Sequence, residues 1–98
     1  MNILSRTPTF DTWFATVNDP IAKARITRRL QQAESGNFGD CEPIGEGVSE
    51  MRIHVGAGWR IYFVRRGELI YLLLCGGIKK TQPRDIEYAK QLSRNLEN

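Results

Sequence analysis

Six side chains in the second half of this 98-residue chain have the types and spacing for phosphate chemistry: Arg52, His54, Arg60, Tyr62, Lys79 and Lys80. Guanidinium and ammonium groups neutralise phosphate, and a tyrosine ring stacks on an unpaired base. The same set suits RNA cleavage without a metal. The ribose 2′-OH attacks the neighbouring phosphorus, and a base takes its proton. An acid protonates the leaving 5′-oxygen, and cations stabilise the added negative charge. Arg60, His54, Arg52, Lys79 and Lys80 are the catalytic candidates, with His54 the natural proton-transfer group because imidazole titrates near neutrality. Arg52, Tyr62, Arg65, Arg66 and Lys80 are the RNA-contact candidates. A plainer reading stands beside this one, since one face of an antiparallel sheet is expected to be polar in any case.

Three short apolar runs carry these residues, and glycine-containing turns separate them. They are MRIHV from Met51, WRIYFV from Trp59 and ELIYLLLC from Glu68. This is the pattern of three adjacent antiparallel strands. Met51, Ile53 and Val55, then Trp59, Ile61 and Phe63, alternate with the polar set, so one face packs while Arg52, His54, Arg60 and Tyr62 point outward. The unbroken run Leu69 to Cys75 suits a strand buried on both faces, at the centre of the sheet. From Arg52 to Lys80 there are six Lys or Arg and one acid, Glu68, a local charge of +5 against +3 for the whole chain.

The preceding residues supply the elements that must position that sheet. Met1 to Arg6 reads as a short edge strand ended by Pro8. Thr9 is a candidate N-cap for a helix opening at Phe10, whose face is Phe10, Trp13, Phe14 and Val17. Asp19 and Pro20 start a second helix that runs to about Ser35 on a stripe of Ala22, Ile26, Leu30 and Ala33. Lys23, Arg25, Arg28 and Arg29 lie mostly off the stripe, and Gly36 terminates it. Pro43 and Ile44 belong to a further short strand. A last helix from about Arg84 to Leu96 presents Ile86, Ala89, Leu92 and Leu96. The expected architecture is α+β, an N-terminal helical hairpin on a small, mainly antiparallel sheet with a C-terminal helix.

Residues 1–98 fit one domain, and 41% apolar residues suffice for its core. The N-terminus lacks a basic stretch followed by an apolar run, and no apolar run is long enough to span a bilayer, so a cytoplasmic protein without membrane association is expected. Cys41 and Cys75 are too far apart for metal-ligand spacing. Cys75 reads as a buried thiol, and the cytosolic setting argues against a disulfide. The chain contains no phosphate-binding glycine loop, HExxH, CxxC or GxSxG motif, and one histidine with two distant cysteines is a poor metal site. Neither a metal nor another cofactor is expected.

The run SEMRIHVGAGWRIYFVRRGELIYLLLCGGIKKTQPRDIEYAKQL resembles toxins of the RelE/ParE superfamily, in particular the HigB-like addiction-module killer proteins. WFATVNDPIAKARITRRLQQAESGNFGD is similar to that family's helical hairpin and following loop, here Gly36, Asn37, Gly39 and Asp40. The resemblance spans nearly the whole chain. It implies a ribosome-dependent mRNA endonuclease whose partners are mRNA, the ribosome and a cognate antitoxin. Such antitoxins are often small helix-turn-helix proteins, through which alone the toxin would meet operator DNA. Arg60, directly after Trp59, matches the family's cation on the middle strand. Arg52 and His54 match the outward positions of the preceding strand, and Lys79 and Lys80 match the basic end of the last one. The catalytic aromatic or histidine near the C-terminus of some relatives has no clear counterpart, although Asp85 and Tyr88 lie near its place. A sister branch poisons DNA gyrase without cutting RNA, which is the alternative the resemblance leaves open.

Overall fold

A computed structural model describes residues 1–96, so the last two positions of the domain assigned to 1–98 lie outside the described residues. β1 (Ile3–Arg6) opens the chain, and α1 (Pro8–Thr16) and α2 (Pro20–Glu34) follow. Then come β2 (Cys41–Gly45), β3 (Val48–Ile53), β4 (Trp59–Arg65) and β5 (Ile70–Ile78). A 3₁₀ turn (Lys79–Thr81) leads into α3 (Gln82–Leu96). The architecture is α+β, with a mixed sheet in the order β1-β5-β4-β3-β2. Only the β1–β5 pairing is parallel. Among the described residues no helix is long and apolar enough to cross a membrane.

Local chemistry explains the helix starts. Thr7, and not Thr9, caps α1: its hydroxyl accepts the Phe10 N–H at 3.1 Å, and Pro8 occupies the first turn, where a missing N–H costs nothing. Asp19 caps α2 through the N–H groups of Ile21 and Ala22. Gly36 ends α2 with φ +101°, a conformation that glycine tolerates best. Arg29 is not merely solvated. Its guanidinium reaches across the next loop to the carbonyls of Arg52, Phe38 and Asp40. Gly39, with φ +66°, leaves room for it: an added Cβ there would come within 2.7 Å of the guanidinium.

Both faces of the sheet are covered. Phe10, Val17, Ala22, Ile26 and Ala33 of the first two helices pack on Met51, Ile53, Ile61, Phe63 and Leu73. On the other face α3 brings Ala89, Ile86 and Leu92 onto Val48, Tyr62, Val64, Leu74 and Cys75. The expectation of one packed and one open polar face therefore fails on β4, which is buried from Arg60 to Val64. The face of α3 is also rotated from the expected stripe: Asp85 and Ser93 are buried with Ala89, while Leu96 is exposed. α1 lies against β5, whereas α2 reaches β1 and β3, so the two helices share one face of the sheet. β5, expected at the centre, lies one strand in from the β1 edge and β4 takes the centre; the run is not buried throughout, since Leu69 and Ile70 are exposed.

Gly76 and Gly77 let β5 take close neighbours on both sides. A Cβ at Gly76 would overlap the Trp13 ring of α1, and one at Gly77 would overlap the Asp85 carboxylate of α3. Gly76→Ala is expected to lower unfolding free energy by about 1–3 kcal/mol, because a rigid indole has no room to yield. Gly67→Ala should change it by less than about 0.5 kcal/mol, since there an added Cβ meets only ordinary contacts at 3.8 Å or more. Chemical denaturation of the two variants measures the difference.

Candidate functional site

Register builds the site. Glu50 on β3 stands opposite Tyr62 on β4, and Arg52 stands opposite Arg60. On the outer side Glu42 of β2 faces Glu50. Two guanidinium groups directly across a strand pair repel each other. Here the carboxylate between them resolves that conflict. Glu50 is fully buried; its Oε1 accepts Arg52 Nε at 2.9 Å. Its Oε2 accepts the Tyr62 hydroxyl at 2.9 Å and Gln82 Nε2, from the start of α3, at 2.8 Å. Arg60 Nε lies 3.8 Å from the same oxygen. Burial pushes the Glu50 carboxyl up, but the hydrogen bonds from Gln82, Arg52 and Tyr62 and the Arg52 charge outweigh it and hold the group below its ordinary value. Glu50 is thus an ionised carboxylate inside the fold.

The predicted residues divide accordingly. Arg52 and Arg60 come together, as expected, but neither is an open outward cation. Arg52 is partly exposed and pairs with Glu42 as well as Glu50. The Glu50 hydrogen bond is the chief reason its guanidinium is held even more firmly protonated. Arg60 is 8% exposed and donates from Nη1 to the Gly58 carbonyl at 2.7 Å, while its buried Nε has no hydrogen-bond partner among the described residues. Tyr62 is fully buried, and burial followed by its bond to Glu50 pushes its phenol upward, so base stacking by this ring is corrected to a structural hydrogen bond. The two-residue alternation is intact; what it could not reveal is that α3 lies over the polar side.

His54 stands apart, just beyond β3. Its side chain is 72% exposed and Nε2 meets Asp40 Oδ2 at 2.5 Å. That bond to His54 is the main reason the Asp40 carboxyl sits below its ordinary value. Lys79 and Lys80 occupy the 3₁₀ turn, are exposed, and make no ion pair among the described residues. Lys79 packs beside Gly58, to whose carbonyl Arg60 is bound, so the lysine turn and Arg60 meet at one margin of the sheet. Arg65 closes the β4–β5 turn by donating to the carbonyls of Gly67 and Glu68, and Arg66 donates to the Ser93 carbonyl of α3. Both arginines therefore tie the chain at the far end of β4 from the lysines.

Asp85 lies in the first turn of α3, buried over Gly77, and accepts the Thr81 hydroxyl at 2.5 Å. Tyr88 is 45% exposed. Cys75 is a buried free thiol, as expected, pushed up to about 12 by burial and the Asp85 charge. The key group that sequence reasoning passed over is Glu50. Its signal was a glutamate two residues before Arg52, and so on the same polar face of the strand as that arginine.

Taken together, these features define an α+β domain with an arginine–carboxylate cluster sealed under its C-terminal helix and a lysine pair at the margin. Over 93 residues, 95% of its length and 94% of the relative's, the chain is 40% identical to an uncharacterized protein of Haemophilus influenzae, and it belongs to the same family as that protein. No family model matches the chain. No solved structure matches it either.

Glu50→Gln should destabilise the fold at neutral pH by about 3 kcal/mol, because it leaves the nearly buried Arg60 guanidinium without its anion, while Arg52 keeps Glu42. The pH dependence follows from the lowered carboxyl. Ionised Glu50 stabilises the fold above the unfolded-state value of about 4.3 and loses that contribution as pH falls below it. The stability gap between wild type and Glu50→Gln should be flat above about pH 5 and shrink through lower pH. Denaturant titrations of both proteins at several pH values would show it; a gap that stays constant to pH 3 would overturn the assignment.

Proposed function

We propose that this protein is a toxin of the RelE/ParE type that cleaves mRNA on the ribosome without a metal and is neutralised by a cognate antitoxin. The observation that carries this reading is the meeting of Arg52 and Arg60 around ionised Glu50 beside Lys79 and Lys80, which have no ion-pair partners among the described residues. The element order supports it, since two helices on one sheet face precede four of the five strands and a third helix closes the chain. Lys79 and Lys80 meet the phosphate and stabilise the charge that builds as the 2′-oxygen attacks. Arg52 and Arg60 lie beneath them, held in place by Glu50. His54, exposed and oriented by Asp40, is the proton carrier.

A specific observation also favours the runner-up, a gyrase-inhibiting toxin of the ParE type that does no chemistry. Arg60 and Tyr62 are sealed, and Arg52 is neutralised by two carboxylates. A surface of that kind binds more readily than it catalyses.

Primer extension on messages after brief induction separates the two. New 5′ ends confined to translated messages are expected. The double variant Lys79→Ala, Lys80→Ala should lose cleavage by about tenfold or more, while stability changes by less than about 0.5 kcal/mol, because both side chains are exposed. Undiminished cleavage by that variant removes the lysines from the site. Intact messages accompanied by gyrase-linked DNA breaks establish the second reading instead. Arg60→Ala is a poor substitute test, since loss of a nearly buried guanidinium would also loosen the Glu50 cluster.

A further inference from the structure

Most arginines of this chain are engaged within the fold. They pair with carboxylates, as Arg6 does with Asp11 and Arg94 with Glu46, or they hold backbone carbonyls, as Arg29 and Arg65 do. Arg25 and Arg28 of α2 do neither. Both are exposed, and among the described residues no hydrogen bond, ion pair or ring contact reaches them. Nothing on the helix answers their charge. No acid stands between Asp19 and Glu34, and the Asp19 carboxylate is occupied by the Ile21 and Ala22 N–H groups. Arg25 and Arg28 are three residues apart, close neighbours on a helix surface, where like charges repel. Lys23 adds a third cation, which leans over the Phe14 ring at 5.0 Å.

Spacing gathers these groups into one stripe. Ile21, Ala24, Arg25 and Arg28 fall at i, i+3, i+4 and i+7, the period of a single helical face. The stripe points away from the sheet, because Ala22, Ile26 and Ala33 on the other side of α2 are the buried residues. Ile21 is 63% exposed, and a shallow groove of about 740 Å³ runs along the stripe. Ala24 is small, so a second backbone can come close to the middle of it. α2 therefore has two amphipathic faces. One is apolar and packs on the sheet. The other combines an exposed isoleucine with unpaired cations and packs on nothing among the described residues.

We propose that this stripe is the docking site for an acidic amphipathic helix of a partner protein. Apolar side chains of the guest cover Ile21 and Ala24, and carboxylates one helical turn apart reach Arg25 and Arg28. Charge decides the occupant. A two-fold contact between copies of this chain would set the stripe against its own cations, and like charges facing across an interface are disfavoured. A nucleic acid backbone would answer the arginines but leave Ile21 uncovered. An acidic helix with an apolar side satisfies both. α2 lies on the opposite face of the sheet from α3 and the Glu50 cluster, so the site stands independently of RNA cleavage.

A fluorescein-labelled peptide of three Leu-Ala-Gln-Leu-Glu-Ala-Glu repeats, long enough to form a helix, serves as the probe. One control carries lysines for glutamates. The other has the same composition in scrambled order, which keeps the charge and loses the apolar side. The acidic peptide should bind at least tenfold more tightly than either control, and NMR shifts on the intact protein should centre on Ile21 to Arg28. The double variant Arg25→Glu, Arg28→Glu should weaken the acidic peptide at least tenfold and make the lysine peptide the tighter ligand. Ile21→Ser should weaken the acidic peptide severalfold. All three side chains are exposed, so the unfolding midpoints of these variants should stay close to that of wild type. The proposal is overturned by equal binding of the scrambled peptide, by shifts that fall outside α2, or by no binding at peptide concentrations on the order of 1 mM. It is also overturned if a single-stranded RNA oligonucleotide binds more tightly than the peptide and loses that binding in the double variant, which would make a nucleic acid the occupant. Self-association of the wild type that the double variant abolishes would overturn it as well, by making a second copy the occupant.

Discussion

The Glu50 carboxylate is the constraint on which the rest of this structure depends. An ion removed from water is tolerated only when its oxygens are fully engaged and an opposite charge is close. Glu50 meets both conditions through three elements at once: Arg52 from its own strand, Tyr62 from β4 and Gln82 from α3. The last of these fixes where α3 begins. With Gln82 held, the preceding turn must place Lys79 and Lys80 at the sheet margin. Asp85, one turn further on, then falls over Gly77. A single buried charge thus links sheet register to helix placement, and helix placement to the position of the lysine pair at the sheet margin.

That linkage sets how much was legible in the sequence. The strands, the adjacency of the last three, the helix starting at Pro20, the glycine stop at Gly36 and the aromatic face of α1 all followed from local signals, whereas the parallel β1–β5 pairing and the central place of β4 did not. Period, caps and glycines are properties of neighbouring residues. What was not legible depended on contacts between distant segments. Nothing near Arg60 or Tyr62 announces that residues of the last helix will cover them, because a polar alternate face looks the same under a helix as under water. The Thr9 cap failed for a smaller reason: Thr7 with Pro8 next to it satisfies the same rule two residues earlier, and the β1 carbonyl partners on β5 decide between them.

The two sides of the sheet solve different problems. The α1 and α2 side is an ordinary apolar core, tightened by aromatic contacts such as Phe38 against Phe63 at 5.1 Å. The α3 side combines a smaller apolar patch with the charged cluster, so the same helix both closes a core and holds polar groups in a fixed array. Fixed orientation matters for electrostatic stabilisation, since preoriented charges need no reorganisation when new charge develops. Burial gives that rigidity here, and it leaves the paired arginines beneath the surface and the lysines exposed at the margin.

Charge counting along the chain misses this separation. The +5 segment from Arg52 to Lys80 suggests a continuous cationic surface. The acids that answer it come from the segment just before: Asp40 meets His54, Glu42 meets Arg52, and Glu50 meets Arg52 and Arg60. Folding brings these opposite charges together by hairpin pairing, which linear bookkeeping by segment cannot register. The cations left without ion pairs among the described residues include Lys79 and Lys80 at the margin and Arg25 and Arg28 on the outer face of α2. Exposed charges act over the ~8 Å screening length of physiological salt. An anionic partner approaching this protein therefore meets separate basic points, while the paired arginines beneath contribute through position and not through reach.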